Sequence, residues 1–441
     1  MKKQYYYHIL TFGCQMNKND SERIESILQS MGLKSTEKME SADVILLNTC
    51  SVRETAENRI FGYAETFLRL KEEKPHLVVG ITGCMPGRDA KQAMKSRLHG
   101  VDLYFPTKDM VMLPQWLSEL NPNLRPIDLH EDYLSVKPAH SNRFQAFVTI
   151  QTGCNHFCTY CVVPSARGLE RNRSLKDILD EAKSLASSGC KEITLLGQIV
   201  NHWSASDPEN FSVNNPYKEN DFAKLLWEIN QIDDIERIHF TAAHPLYMDD
   251  EVIDALTLPK QVNYIHLPVQ SGSSDVLKRM NRRHNREFYL ETIKKIRNKK
   301  PDIAIGTDII VGFSGETEKD FEDTLSLYRA CDFDISYNAQ YSVRPGTPAA
   351  KAFKDDVTKQ EKKRRWDALQ ELMEDVTARK NKVYDGGKLE IFVDQWNKEY
   401  CMGNSREMKL CRFKGDRSLV GTIQTVKITS PSTWILEGDV V

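Results

Sequence analysis

Residues 153–161 read GCNHFCTYC and set Cys154, Cys158 and Cys161 in a C-x3-C-x2-C run. Thiols this close in sequence can bind one compact object together, and three chemistries suit them. With His156 they could complete a closed tetrahedral zinc site. Cys158 and Cys161 could form a dithiol redox pair, which leaves Cys154 unused. In the third, each thiolate takes one iron of a four-iron cubane. That leaves one iron without a protein ligand, and an open position marks reactivity in catalytic metal sites.

A second set of three lies upstream. Cys14, Cys50 and Cys84 each end an extended apolar run: YYYHILTFGC, DVILLNTC and LVVGITGC. Helical patterns follow the first two. After Cys14, Ile24, Ile27, Leu28 and Met31 share one face, with Gly32 as the stop. After Cys50, SVRETAENRIFGYAETFLRL is similarly helical. Near-continuous apolar strands alternating with helices predict a parallel sheet covered on both faces. Ligands of such sheets bind beyond the carboxyl ends of the strands. One buried cysteine is ordinarily a small core residue, but three at matching strand ends point to a ligand set.

The remaining elements must position these two sets. A stretch rich in proline and asparagine reads as a linker over 126–142, after a first domain at 1–125. From Phe144 a second α/β series offers the strands FVTIQT, EITLLG, RIHFTA, YIHLPV, IAIGTDIIV and ISYNAQYSV. Six β/α units predict a partial barrel over 143–377, two units short of a closed eight-fold one. WSASDPENFSVNNPYKEN reads as a long surface loop, and residues 358–380 as a long helix. Over 378–441 the segments LEIFV, EMKLCRF, GTIQTVKI and WILEGDV predict a small antiparallel β-barrel. Lys409, Arg412, Lys414, Arg417 and Lys427 give that end a positive bias, which suits a solvated surface or RNA.

Composition narrows the class. The 441 residues are 40% apolar and 28% charged, as in a folded soluble protein. A net charge of -2 excludes a globally basic chain, so a nucleic-acid partner needs a local patch. No apolar run reaches the roughly 18 residues of a membrane span. Neither a signal h-region nor a cleavage site is visible, so a cytoplasmic protein is expected. There the ten cysteines stay reduced, which favours ligation over disulfides. Cys190, Cys331, Cys401 and Cys411 lack motif context and are expected to be structural. His8, His130 and His239 show no metal-ligand spacing.

The run GCNHFCTYCVVPSARG resembles the radical S-adenosylmethionine (SAM) signature of the methylthiotransferase family. The resemblance covers nearly the whole chain, in order. FGCQMNKNDSE, LLNTCSVRETAENR and TGCMP resemble the family's N-terminal domain. LLGQIVNHW, HLPVQSGSSDVLKRMNR, TDIIVGFSGETEKDF and YSVRPGTPAA resemble motifs of its radical SAM domain, and the C-terminal barrel resembles its RNA-binding TRAM domain. Ile199, Ala243 and Ser314 depart from the usual pattern, while all six motif cysteines are intact.

The resemblance implies a Rossmann-like N-terminal domain, a (β/α)6 radical SAM barrel and a TRAM barrel. It implies two [4Fe-4S] clusters, on Cys154, Cys158 and Cys161 and on Cys14, Cys50 and Cys84. The first would chelate SAM and generate a deoxyadenosyl radical; the auxiliary one would carry the sulfur that is methylated and transferred. Tyr160, Gln198, Gln270, Asp308 and Arg344, expected at carboxyl ends of barrel strands, are candidate SAM contacts; Asp308 could serve the substrate instead. The implied substrate is N6-isopentenyladenosine next to the tRNA anticodon, favoured by CTYCVVP and NTCSVRETAENR. Threonylcarbamoyladenosine in tRNA, or a ribosomal protein, is the alternative within the family. A non-catalytic zinc- or cluster-bearing RNA-binding protein is the alternative of another class. The implied partners are the tRNA anticodon stem-loop and an electron donor such as a flavodoxin or ferredoxin, with the protein acting as a monomer.

Overall fold

The structure, a computed structural model, describes residues 3–51, 54–124, 127 and 132–441. His130 and residues 126 and 128–131 of the expected linker lie outside them. The chain forms two compact units. One comprises Met1–Ser141, Thr152–Phe157 and Cys161–Arg171; the other comprises Asn142–Gln151, Cys158–Tyr160 and Asn172–Val441.

The first unit is built on five strands: β1 (Tyr6–Thr11), β2 (Lys34–Ser35), β3 (Val44–Thr49), β4 (Val78–Gly83) and β5 (Leu103–Tyr104). All ladders are parallel, in the order β2-β1-β3-β4-β5. The unbroken apolar character of β3 follows from burial on both faces. Val44 and Leu46 pack in one cluster with Ile24, Ile27 and Leu28 of helix α1 (Gln15–Ser30). Ile45 and Leu47 pack in another, with Phe67 and Leu70. The single helical pattern after Cys50 resolves into α2 (Glu54–Phe61) and α3 (Ala64–Glu73), separated at Gly62, a poor helix former. Strand order reverses between β1 and β3, which makes their carboxyl ends the switch point where doubly wound sheets bind ligands.

The second unit contains all six expected barrel strands: β6 (Gln145–Thr149), β7 (Glu192–Leu196), β8 (Arg237–Phe240), β9 (Tyr264–His266), β10 (Ala304–Val311) and β11 (Ile335–Gln340). They form two parallel three-stranded sheets, β8-β7-β6 and β9-β10-β11. An isolated parallel bridge, Ile238 to Gln261, relates them where β8 gives way to the run into β9. Amphipathic helices cover the outside. In Leu175–Ser187, capped by Ser174 accepting from the Asp177 N–H, Leu175, Ile178, Ala182 and Leu185 turn inward to one large core.

The C-terminal strands β12 (Lys388–Asn397), β13 (Tyr400–Ser405), β14 (Leu410–Lys414), β15 (Ile423–Pro431) and β16 (Leu436–Val440) close into a barrel. Its ladders are antiparallel except β14 with β16, which is parallel. Strand β13 was not apparent in the sequence, because its inward residues are Cys401, Gly403 and Ser405 rather than large apolar ones. The long helix runs Lys359–Lys382, close to the expected 358–380. Two of the five basic residues assigned to this end are occupied elsewhere. Lys409 is buried against Asp334 at 3.2 Å, and Arg412 pairs with Glu437. A buried Arg237 fixes the barrel to the rest of the unit. It meets Glu192 at 2.8 Å and donates to the carbonyls of Asn404 and Ser405 at 2.8 and 2.9 Å.

Candidate functional site

Cys14, Cys50 and Cys84 stand just beyond the carboxyl ends of β1, β3 and β4. None of the three is in a disulfide; Cys50 and Cys84 are buried and Cys14 is exposed. Neighbouring groups show that the sheet brings them together. A Cβ on Gly13 would lie 2.8 Å from the Cys50 Cβ. The Cys14 thiol donates to Asn17 Oδ1 at 3.5 Å, and Asn17 Nδ2 donates to the Thr49 carbonyl at 3.0 Å, one residue before Cys50. Burial pushes the Cys84 thiol up to about 11; Arg167 works against that rise, while Cys50 and Cys14 add to it. Gly83 makes the turn into Cys84 with φ +101°, and a Cβ there would fall 2.3 Å from the Thr49 carbonyl oxygen. Only glycine fits this approach.

The C-x3-C-x2-C loop follows β6. The Cys154 N–H donates to the Gly168 carbonyl at 3.1 Å, and the His156 N–H lies 3.4 Å from the Cys154 sulfur. Gly153, at φ +76°, enters the loop as Gly83 enters its own, with Leu169 O only 2.0 Å from the position of a Cβ. Within the second unit, the Arg282 guanidinium reaches the Cys158 sulfur at 3.6 Å and the Pro268 carbonyl at 3.0 Å. Thr159 is held by backbone bonds to Met280 and Ala349. Tyr160 packs against Val276, Met280 and Phe313.

Four of the five candidate SAM contacts follow strand ends and one does not. Gln198 comes two residues after β7, Gln270 four after β9, and Arg344 four after β11; Tyr160 lies on the cysteine loop. Asp308 is inside β10, paired with Tyr337, because that strand runs the full eight residues from Ala304 to Val311. Its carboxylate meets His266 Nε2 at 3.3 Å, and His266 Nδ1 lies 3.1 Å from the Tyr264 hydroxyl. His239 stacks on Tyr264 at 5.8 Å, and burial lowers its pKa to about 3, so the ring is neutral. The sequence reading missed His266, though it sits in HLPVQSG, and Arg167 and Arg282. Gln270 holds φ +74°, while its N–H and carbonyl bond to the β10 backbone at Asp308 and Ile310. The Gln198 Oε1 atom is buried and finds no hydrogen-bond donor among the described residues.

The four cysteines expected to be structural are all buried and free. Burial raises the Cys190, Cys331 and Cys411 thiols to about 12 and pushes Cys401 up as well. Cys401 and Cys411 belong to the apolar core of the small barrel.

Among the described residues, no group of three or more His, Cys, Asp or Glu side chains is arranged to hold a single metal ion. A cluster makes a different demand, since each thiolate binds its own iron and the ligands need not converge on one point. Reduced thiols at a sheet's switch point are the soft donors an iron–sulfur cluster takes. A thiol as buried as Cys84 ionises readily only when a cation accompanies it. The donor set of the sheet therefore fits such a group.

The parallel partial barrel and its three-cysteine loop define the class, a radical SAM enzyme, and residues 148–328 match the model of the radical SAM superfamily. Residues 6–106 match the model described as uncharacterized protein family UPF0004. A tRNA-2-methylthio-N(6)-dimethylallyladenosine synthase of Thermoanaerobacter sp. (strain X514) is 42% identical over 449 residues, covering 100% of this chain and 93% of its own. The enzyme of that name from Clostridium botulinum (strain Okra / Type B1) is 41% identical, covering 98% and 96%. The chain belongs to the family of tRNA-2-methylthio-N(6)-dimethylallyladenosine synthases. Among solved structures, the radical SAM methyltransferase TsrM of Kitasatospora setae, with cobalamin and a [4Fe-4S] cluster bound, superimposes with a TM-score of 0.56. That match covers 79% of this chain and 74% of the other at 12% identity, a likeness of fold.

Proposed function

We propose that the protein methylthiolates C2 of N6-isopentenyladenosine beside the anticodon of tRNA. The observation that carries this reading is two sets of three cysteines, none of them in a disulfide, in one family member, one set on a loop after β6 and one across three parallel strand ends. Cys154, Cys158 and Cys161 hold one four-iron cluster with SAM, and Cys14, Cys50 and Cys84 hold the auxiliary one. Bound there, these groups supply one-electron cleavage of SAM and a transferable sulfur, which suits a C2 hydrogen that is not appreciably acidic.

The chain's own residues bind and orient. Gln198, with a buried acceptor lacking a donor, offers its Oε1 to an N–H of SAM. Tyr160, Gln270 and Arg344 complete the SAM pocket, and Asp308, whose carboxylate meets His266, serves SAM or the substrate beside it. Residues 1–125 form the methylthiotransferase domain, 143–377 the radical SAM domain and 378–441 the TRAM domain. On the last, exposed Trp396, Tyr400 and Trp434 offer stacking faces to unpaired bases. The protein works as a cytoplasmic monomer, with electrons from a flavodoxin or ferredoxin.

Mass spectrometry of bulk tRNA nucleosides, with and without the gene, tests the substrate. Loss of the methylthio group from isopentenyladenosine on deletion is the expected result, and an unchanged nucleoside profile removes the proposal. Anaerobic metal analysis tests the chemistry, since zinc without iron and sulfide sinks the cluster assignment.

A further inference from the structure

Arg167 closes the run VVPSARG that follows the C-x3-C-x2-C loop, yet its side chain is directed at the other cysteine set. It is 4% exposed and forms a two-armed ion pair with Asp20, which is 1% exposed, at 2.6 and 3.4 Å. Nη2, which also makes the shorter contact to Asp20, reaches Asn17 Oδ1 at 3.3 Å, the same oxygen that accepts from the Cys14 thiol at 3.5 Å. The Asn17 amide nitrogen in turn holds Asn48 Oδ1 at 3.2 Å and the Thr49 carbonyl at 3.0 Å. On the far side, the Tyr133 hydroxyl donates to Asp20 at 2.6 Å. Close packing sets the placement: a Cβ on Gly87, three residues after Cys84, would lie 2.2 Å from the Ala166 carbonyl oxygen. All of these residues belong to the first unit.

A buried guanidinium costs several kcal/mol to desolvate, and Asp20 alone suffices to neutralise it. The bond to Asn17 satisfies a further buried N–H of the guanidinium, and it ties the cation to the side chain that accepts from Cys14. A cluster on three thiolates is anionic, and a fixed cation in a low-dielectric site favours its more negative, reduced form. We propose that Arg167 is a positioning residue of the Cys14, Cys50 and Cys84 set, supplied by the stretch that carries Cys161. Through Asn17 it orients the Cys14 side of that set, and through its charge, tempered by Asp20, it raises the reduction potential of the group held there. The proposal rests on the assignment of these three cysteines to the auxiliary cluster.

The test uses the full chain with Cys154, Cys158 and Cys161 all changed to alanine, reconstituted anaerobically so that only the second set can bind. Iron and sulfide are counted first. About four irons per chain support the assignment; none removes both it and this proposal. Redox titration followed by electron paramagnetic resonance then compares four substitutions in that background. Arg167→Met is expected to shift the midpoint to more negative values and Asp20→Asn to more positive ones. Arg167→Lys is expected to restore most of the shift, and the double substitution Arg167→Met/Asp20→Asn to fall near the parent. A support that is only structural moves these midpoints little or all in one direction. Four unchanged midpoints at full iron content, or equal iron loss in Arg167→Met and Arg167→Lys, overturn the proposal.

Discussion

The two three-cysteine sets solve one chemical problem in opposite ways. Cys154, Cys158 and Cys161 lie within eight residues of one another, so chain connectivity alone keeps them near. Cys14, Cys50 and Cys84 are spread over seventy residues, and only the parallel register of β1, β3 and β4 assembles them. Each set is entered by a glycine at positive φ, Gly153 or Gly83, and each has a guanidinium at hand, Arg282 or Arg167. What differs is dependence on the fold. A local loop can bind before its surroundings are complete, whereas the sheet's set exists only once three strands have paired.

Substitutions that separate the sets give the largest effects. Cys158→Ala is expected to lose about four irons, SAM cleavage and methylthiolation together. Cys84→Ala is expected to lose a similar share of iron and all methylthiolation, yet still yield 5′-deoxyadenosine. Iron analysis with chromatography of SAM products decides this, and equal loss of SAM cleavage in both breaks the comparison. Next comes Arg237→Met, which leaves Glu192 buried without its cation at a cost of about 3–5 kcal/mol. Denaturant melts should show that loss while the folded fraction keeps its iron.

Gly83→Ala should cost at least about 2 kcal/mol, from its positive φ and the approach to Thr49. It is expected to deplete iron from the sheet's set while sparing the loop's. The smallest effect belongs to the cysteines of neither set. Cys331→Ala should cost about 1 kcal/mol and change no iron. The pH dependence of these buried thiols has a definite sign. Cys190, Cys331 and Cys411 keep their protons up to about 12 when folded, whereas an unfolded thiol releases its proton near about 8.5. The folded state then binds more protons, so stability is full below that range and falls as pH rises through it toward 12. Thermal melts of the metal-free chain across this window check the slope, and alkylation at pH 8 should spare all three.

Much of this was legible because local patterns were strong. The apolar runs ending in Cys14, Cys50 and Cys84 marked three strands and their carboxyl edge, and six further runs marked the barrel strands. Strand β13 escaped because Gly403 and Ser405 occupy its inner face, leaving no alternation to read. Asp308 was placed at a strand end, but β10 continues three residues past it. Lys409 looked like a surface cation until burial beside Asp334 gave it a partner seventy-five residues away in sequence.

The sequence by itself determined the ligand types, the loop set and the strand-by-strand rhythm, because those depend on residues close together along the chain. Tertiary structure decided which distant groups face one another. Neither the spacing of Arg167 from Asp20 and Asn17 nor that of Arg282 from Cys158 announces a contact. Such pairings are set by strand register and by which helix packs where, and a long side chain carrying charge finds its partner only after the backbone has fixed both ends.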